Sequence, residues 1–268
     1  SITMKEHRII AIANQKGGVA KTTTAYNLGY CLQKRGKKVL LVDFDPQASL
    51  TISFGVEYPD QQLDRTVVDL LQRVIDRQPL PDLGDYLLEK DGLSLLPCNI
   101  VLSTMEVPLM TFIGGKTALR EILTPLCSRF DYIIIDCAPS LGQLTINALT
   151  ACDGVLIVTT PQIHSTKGME LLIDSISSVR TYSNPGIQID GILVAMHTER
   201  TNIGKEVLRV TKEALGDAIP IFQTTIPRSV KVDEAHYASK PLGLHDPYGK
   251  VTAAYDAFCT EYLGGDVR

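Results

Sequence analysis

The residues of this chain best suited to chemistry form the run Gln15, Lys16, Gly17, Gly18, Val19, Ala20, Lys21, Thr22 and Thr23, set between a short apolar segment and a longer one of helical period. A glycine-rich turn between a strand and a helix aims several backbone N–H groups at one point, and the helix N-terminus adds partial positive charge there. Phosphate is the natural occupant. Lys21 would reach the β- and γ-phosphates, and the Thr22 hydroxyl would ligate magnesium, whose remaining coordination goes to water and phosphate oxygens. Carboxylates follow at Asp43 and Asp45, in LVDFDPQ, and at Asp136, in YIIID. Residues leaving the carboxyl ends of parallel strands beside such a turn face the same crevice. Asp43 and Asp45, two apart, are expected on one side of their strand. One would brace the lysine or the magnesium shell, and the other would orient an attacking water. Asp136 would hold magnesium through water. Taken singly, Gly17-Gly18 is an ordinary turn and each aspartate a helix cap or turn former; their order along one chain is what points to a nucleotide site.

These residues need a sheet to bring them to one edge. The segments 8–13, 38–43, 132–136, 154–160 and 188–195 are nearly continuous Val/Ile/Leu runs, which predicts strands buried on both faces. Between them, 21–34, 116–130, 142–151, 166–180 and 203–215 have helical length and apolar spacing. The expected fold is α/β: a twisted, mostly parallel sheet with helices on both faces. Residues 55–91, with Pro59, Pro79, Pro81 and many charges, are expected to make a helical excursion over the sheet edge, leaving residues 1–268 as one domain.

Composition is compatible with that reading. A chain of 268 residues, 44% hydrophobic and 21% charged, is long enough to bury a substantial core. Cysteines 31, 98, 127, 137, 152 and 259 include no CxxC pair and fall mostly in apolar segments, as reduced core residues do. Neither a signal-peptide pattern nor an apolar run of membrane-spanning length is present, so a cytoplasmic protein is expected. The net charge of -4 gives no global nucleic-acid signal, so any DNA contact requires a local basic patch.

KGGVAKTTT with Lys16 at its start, VDFDPQAS, IIIDCAPSLG, RTNIG from Arg200, IPRSVKVDEA from Ile226 and KPLGLHDP from Lys240 closely resemble the ParA/Soj branch of the deviant Walker A ATPases, the MinD/ParA family. The match covers nearly the whole chain. It implies a P-loop ATPase that binds ATP and Mg2+ and forms a nucleotide-sandwich homodimer, with Lys16 crossing to the partner's phosphates. Asp45 becomes the catalytic aspartate, and Pro227 and Arg228 lie near the adenine. The implied process is DNA partition, for a plasmid, mobile element or chromosome, with a ParB-like centromere-binding partner that stimulates slow hydrolysis and with nucleoid association in the ATP state. The chain is expected to lack the amino-terminal helix-turn-helix extension of the larger relatives.

The chain departs from the family pattern twice. Ala20 stands where the family has glycine, at a position expected to be left-handed, where a Cβ costs on the order of 1–2 kcal/mol and could crowd the phosphates. The stretch Thr160, Pro161, Gln162, Ile163, His164, Ser165 lacks an acidic-aromatic continuation frequent in close relatives. The first departure motivates an alternative, an ATP-gated scaffold with impaired hydrolysis. A MinD-like membrane regulator would need a basic amphipathic C-terminal helix, which Val251, Tyr255, Phe258 and Tyr262 do not make. For the cargo, Lys205, Arg209 and Lys212 recur along one predicted helix face. With Arg200, Arg228 and Lys231 they are expected to contact double-stranded DNA without reading its sequence. Glu206 and Glu213 as intrahelical partners would make the same face an ordinary solvated one.

Overall fold

The computed structural model describes residues 8–14, 19–160, 166–197, 209 and 219–264. In chain order its elements begin with β1 (Arg8–Ala13), α1 (Val19–Lys34), β2 (Val39–Phe44), α2 (Ser49–Ser53), α3 (Pro59–Gln62) and α4 (Val67–Ile75). A hairpin of β3 (Leu88–Lys90) and β4 (Leu93–Leu96) leads to α5 (Glu106–Thr111), α6 (Ala118–Leu123), β5 (Tyr132–Cys137), α7 (Gln143–Ala151), β6 (Gly154–Thr159), α8 (Thr166–Tyr182) and β7 (Gln188–His197). Then come β8 (Ile221–Pro227), α9 (Val230–Tyr237), α10 (Leu242–His245) and α11 (Lys250–Tyr262).

The strands form one eight-stranded sheet in the order β3-β4-β2-β5-β1-β6-β7-β8, parallel throughout except for the β3/β4 hairpin at one edge. Alternation along each strand divides the apolar residues between two cores. Ile9, Ala11, Leu40, Val42, Ile133, Ile135, Val155 and Ile157 pack on the side of α4, α6, α7 and α8. Ile10, Ile12, Val39, Leu41, Ile134, Leu156 and Val158 pack on the other side, against α1 and α11, where Tyr255 and Phe258 are fully buried. Burial on both faces explains why these runs lack polar alternation. It also sets the aspartates: Asp43 continues the Val39, Leu41 face and Asp136 the Ile134 face, so both carboxylates emerge on the α1 side, paired in register at the carboxyl end.

Three elements differ from expectation. The predicted helix 116–130 shrinks to α6 flanked by 3-10 turns at Gly115–Thr117 and Thr124–Leu126, because Pro125 cannot supply the N–H that would continue it. Residues 55–91 do carry α3 and α4, but their end enters the sheet as β3. The hairpin turn is Asp91-Gly92, with φ of 52° and 77°, the left-handed pair that a two-residue turn requires. Strand β8 adds a half-buried edge. The predicted helix 203–215 lies outside the described residues apart from Arg209, which is helical and exposed. The cysteines form no disulfide; Cys98, Cys137, Cys152 and Cys259 are buried.

Candidate functional site

Helix α1 begins at the carboxyl edge of the sheet and presents Lys21 and Thr22 from its first turn toward β5. Lys21 is 1% exposed. Its ammonium forms a buried ion pair with Asp136 and lies 3.6 Å from Asp45 Oδ2. Thr22 Oγ1 donates to the other Asp136 oxygen at 2.8 Å. Burial works against the Lys21 charge, but Asp136 and Asp45 outweigh it and hold the ammonium above its ordinary pKa. Asp136 is pushed up by complete burial, against the pull of Lys21 and Thr22.

The remaining carboxylates are Asp43, near the end of β2, and Asp45, in the turn that leads to α2. Asp43 is fully buried; its Oδ2 accepts from Thr51 N at 2.9 Å and from Thr51 Oγ1 at 2.7 Å. Burial, reinforced by Asp136, raises its pKa to about 7, with Thr51 opposing. Asp45 lies one residue beyond the end of β2, so its position comes from the turn and not from strand alternation. Its Oδ1 accepts from Gln47 N at 3.0 Å and its carbonyl from Ala48 N at 2.8 Å. From 53 residues away, the Cys98 thiol donates to the same carbonyl at 3.0 Å, and Cys98 N donates to Thr51 Oγ1 at 3.2 Å. Ala48 closes the turn in the left-handed region, φ 55°, at α2's N-cap. The left-handed backbone expected at Ala20 is not found there. Ala20 instead sits within α1 with no left-handed backbone, 3% exposed and part of the α1-side core. A helix that starts by Val19 leaves Ala20 an ordinary helical residue, so the expected strain is absent.

One ammonium thus pairs with Asp136 and lies near Asp45, with Asp43 buried alongside on Thr51, in a nearly dry cluster. Such a group of carboxyls, with the Thr22 hydroxyl and an Asp136 oxygen 2.8 Å apart, suits a hard divalent cation. Thr22 and Asp136 are the residues that would hold magnesium. Among the described residues no group of three or more His, Cys, Asp or Glu forms a protein-only metal cage, so most of the coordination would come from elsewhere, as magnesium at a phosphate site prefers.

Lys21, Thr22, Asp43, Asp45 and Asp136 are therefore brought together. Beside Thr22 a crevice of about 200 Å³ opens between α1 and α9, lined by Thr22, Thr23, Tyr26, Asn27, Val232 and His236 among others. Pro227 ends β8 at the same sheet edge, and Arg228 follows it, exposed. Lys231, also exposed, pairs with Glu234 at 3.1 Å and does not join the carboxylate cluster. Lys16, Gly17, Gly18, the Val19 side chain, residues 161–165, and Arg200, Lys205 and Lys212 lie outside the described residues. Sequence reasoning missed Thr51 and Cys98, which fix the β2–α2 turn; neither carries a motif, and Cys98 reaches the turn only through the tertiary fold.

The described residues contain no helix long and apolar enough to cross a membrane. Comparison with known proteins agrees with the geometry. A family model described as an AAA domain matches residues 7–189. The sporulation initiation inhibitor protein Soj of Bacillus subtilis is 40% identical over 248 residues, 92% of this chain and 95% of Soj. The chromosome partitioning protein ParA of Myxococcus xanthus is 35% identical over 259 residues, 97% of this chain and 89% of that protein. Among solved structures, a cobyrinic acid a,c-diamide synthase from Mycobacterium smegmatis, with bound ATP analog and magnesium, superposes with a TM-score of 0.83 at 34% identity, covering 96% of this chain and 94% of that one. With its helix-borne lysine and threonine, its strand-end aspartates and relatives of this identity along most of its length, the chain belongs to the ParA/MinD family of P-loop ATPases.

Proposed function

We propose that this protein hydrolyses ATP in the presence of magnesium and uses the cycle to partition DNA. The observation that carries the reading is the buried cluster in which Lys21 and Thr22 from α1 meet Asp136 and Asp45 from two strand ends. In it Lys21 is charged and held where the helix N-terminus would receive the β- and γ-phosphates. Asp45, tied at both its carboxylate and its carbonyl, is positioned to orient the attacking water. Asp43 anchors α2 through Thr51 and so supports that turn from below. Magnesium, when bound through Thr22 and, by way of water, Asp136, supplies neutralisation of the phosphate oxygens. The neighbour from Mycobacterium smegmatis, solved with an ATP analog and magnesium, supports this choice of ligand.

The finer assembly follows from the resemblance and from the partitioning relatives. Lys16 of each protomer reaches the nucleotide of the other in an ATP-bound homodimer, Pro227 and Arg228 border the adenine, and Arg200, Lys205, Arg209, Lys212, Arg228 and Lys231 hold nonspecific duplex DNA. A ParB-like partner stimulates a slow reaction on the nucleoid. Ala20's helical backbone gives no left-handed strain in support of a hydrolysis-impaired scaffold, and crowding of the phosphates by its methyl is what the Ala20→Gly comparison tests. The test is phosphate release from Mg-ATP with and without nonspecific DNA, with molecular mass followed in parallel. Turnover accompanied by ATP-dependent doubling of mass supports the proposal; absence of Mg-ATP binding overturns it.

A further inference from the structure

Helix α7 follows the loop that carries the chain away from Asp136, so whatever fixes its first turn also fixes that loop. Its N-cap is Gly142, which has no side chain to cap the free N–H groups. The cap comes from another element. Glu106, the first residue of α5, accepts from Gln143 N through Oε2 at 2.6 Å, and its Oε1 lies 3.4 Å from Leu144 N. The carboxylate packs against Gly142 so closely that a Cβ there would lie 2.8 Å and 2.9 Å from its two oxygens and oblige the Glu106 side chain to shift. From inside the helix, the Thr145 hydroxyl donates to Ala138 O at 3.2 Å and also to Ser140 O. The loop is clamped between α5 and α7, and a carboxylate at a helix N-terminus is held there by the peptide dipoles as well as by hydrogen bonds.

We infer that Glu106 is a positioning residue for hydrolysis: by capping α7 from α5 it holds residues 138–142, and through them the Asp136 side of the cluster, in the arrangement that turnover needs. The inference rests on the ATPase reading above. Glu106 bonds only the first turn of α7 and neither Lys21 nor Thr22, so its loss reaches the cluster through the loop alone and is read chiefly as a fall in kcat.

The experiment compares wild type, Glu106→Ala, and Glu106→Ala combined with Gly142→Ser, by steady-state Mg-ATP kinetics and by amide hydrogen exchange of the nucleotide-free protein. Serine at the N-cap gives α7 a cap of its own but no tie to α5. Glu106→Ala is expected to lower kcat about 10- to 100-fold, the scale of a small misplacement at a reacting centre, with KM little changed. Exchange over residues 138–144 rises about tenfold, as loss of a cap implies. The double variant restores protection at Leu144 and Thr145, the N–H groups a serine N-cap can reach, while kcat and residues 138–142 stay impaired. Wild-type kcat in Glu106→Ala, or full recovery with the serine cap, overturns the inference and leaves Glu106 a helix cap only. Should the wild type hydrolyse no ATP, the ATPase reading falls, and exchange decides separately: unchanged exchange over 138–142 in Glu106→Ala overturns the clamp, and faster exchange sustains it.

Discussion

Replacing Lys21 by methionine keeps the length of the side chain and removes its charge from the centre of the carboxylate cluster. Asp136, fully buried, then keeps the Thr22 hydroxyl but loses its ion-pair partner, and Asp45 loses the same ammonium 3.6 Å away. Removing one member of a buried pair costs about 3–5 kcal/mol, because the other charge is left desolvated. Protonation offers Asp136 an escape, and this sets the pH dependence. Its pKa is already raised by burial, and Lys21 is the largest opposing influence, so without Lys21 it rises further. The penalty is therefore present above that raised pKa and fades as pH falls through it, where the native carboxyl takes up a proton that the unfolded chain still lacks. Urea unfolding near pH 8 should place Lys21→Met about 3–5 kcal/mol below wild type, with the gap closing as pH falls toward the ordinary carboxylate range. Adding Asp136→Asn should recover most of the loss near pH 8 and flatten the pH dependence, since a neutral replacement of both partners removes the stranded charge. Lys21→Met within about 1 kcal/mol of wild type near pH 8, or a double variant no better than the single one, would refute the reasoning.

Glycine substitutions should have opposite signs at the two alanines of the site. Ala20→Gly, in a helix and packed, is expected to destabilise by about 0.5–1 kcal/mol and leave Mg-ATP affinity unchanged; activity found only in the glycine form would return the strain to position 20. Ala48→Gly relieves a left-handed alanine and should stabilise by up to about 1 kcal/mol, once its buried methyl is discounted, and a loss in urea unfolding equal to that of Ala20→Gly contradicts this. Reversing charge at Arg228 and Lys231 should weaken salt-sensitive DNA binding, lowering the slope of log K against log salt by about 2 per protomer while nucleotide binding persists. Unchanged DNA affinity would move the patch elsewhere.

Much of this architecture is legible in the sequence, for physical reasons. Strands buried on both faces read as unbroken apolar runs, and β1, β5 and β6 lie within one residue of their expected bounds. The aspartates Asp43 and Asp136 stand at the ends of such runs, so finding the strands also finds the site. Short elements escape because three or four residues carry no period: β3 and β4 are of this kind, although the Asp91-Gly92 turn between them was a readable hairpin signal. The edge strand β8 escapes because it is half exposed. Asp45 reaches the cluster through a turn strained at Ala48 and held by Cys98, contacts that no local pattern encodes. The left-handed residue expected before Lys21 is absent, because α1 already begins at Val19; the strained Ala48 on β2's exit is a separate feature that no local pattern announced.

Substitution of Asp45 tests the central claim most directly. In Asp45→Ala, with Lys21, Thr22 and Asp136 untouched, Mg-ATP binding and single-turnover hydrolysis are measured side by side with wild type. Binding close to wild type together with hydrolysis reduced by at least about 100-fold, the scale of a lost acid-base or water-orienting group, is the expected result. Wild-type hydrolysis in that variant, or no Mg-ATP binding by either protein, would contradict the assignment of this cluster as the ATPase centre.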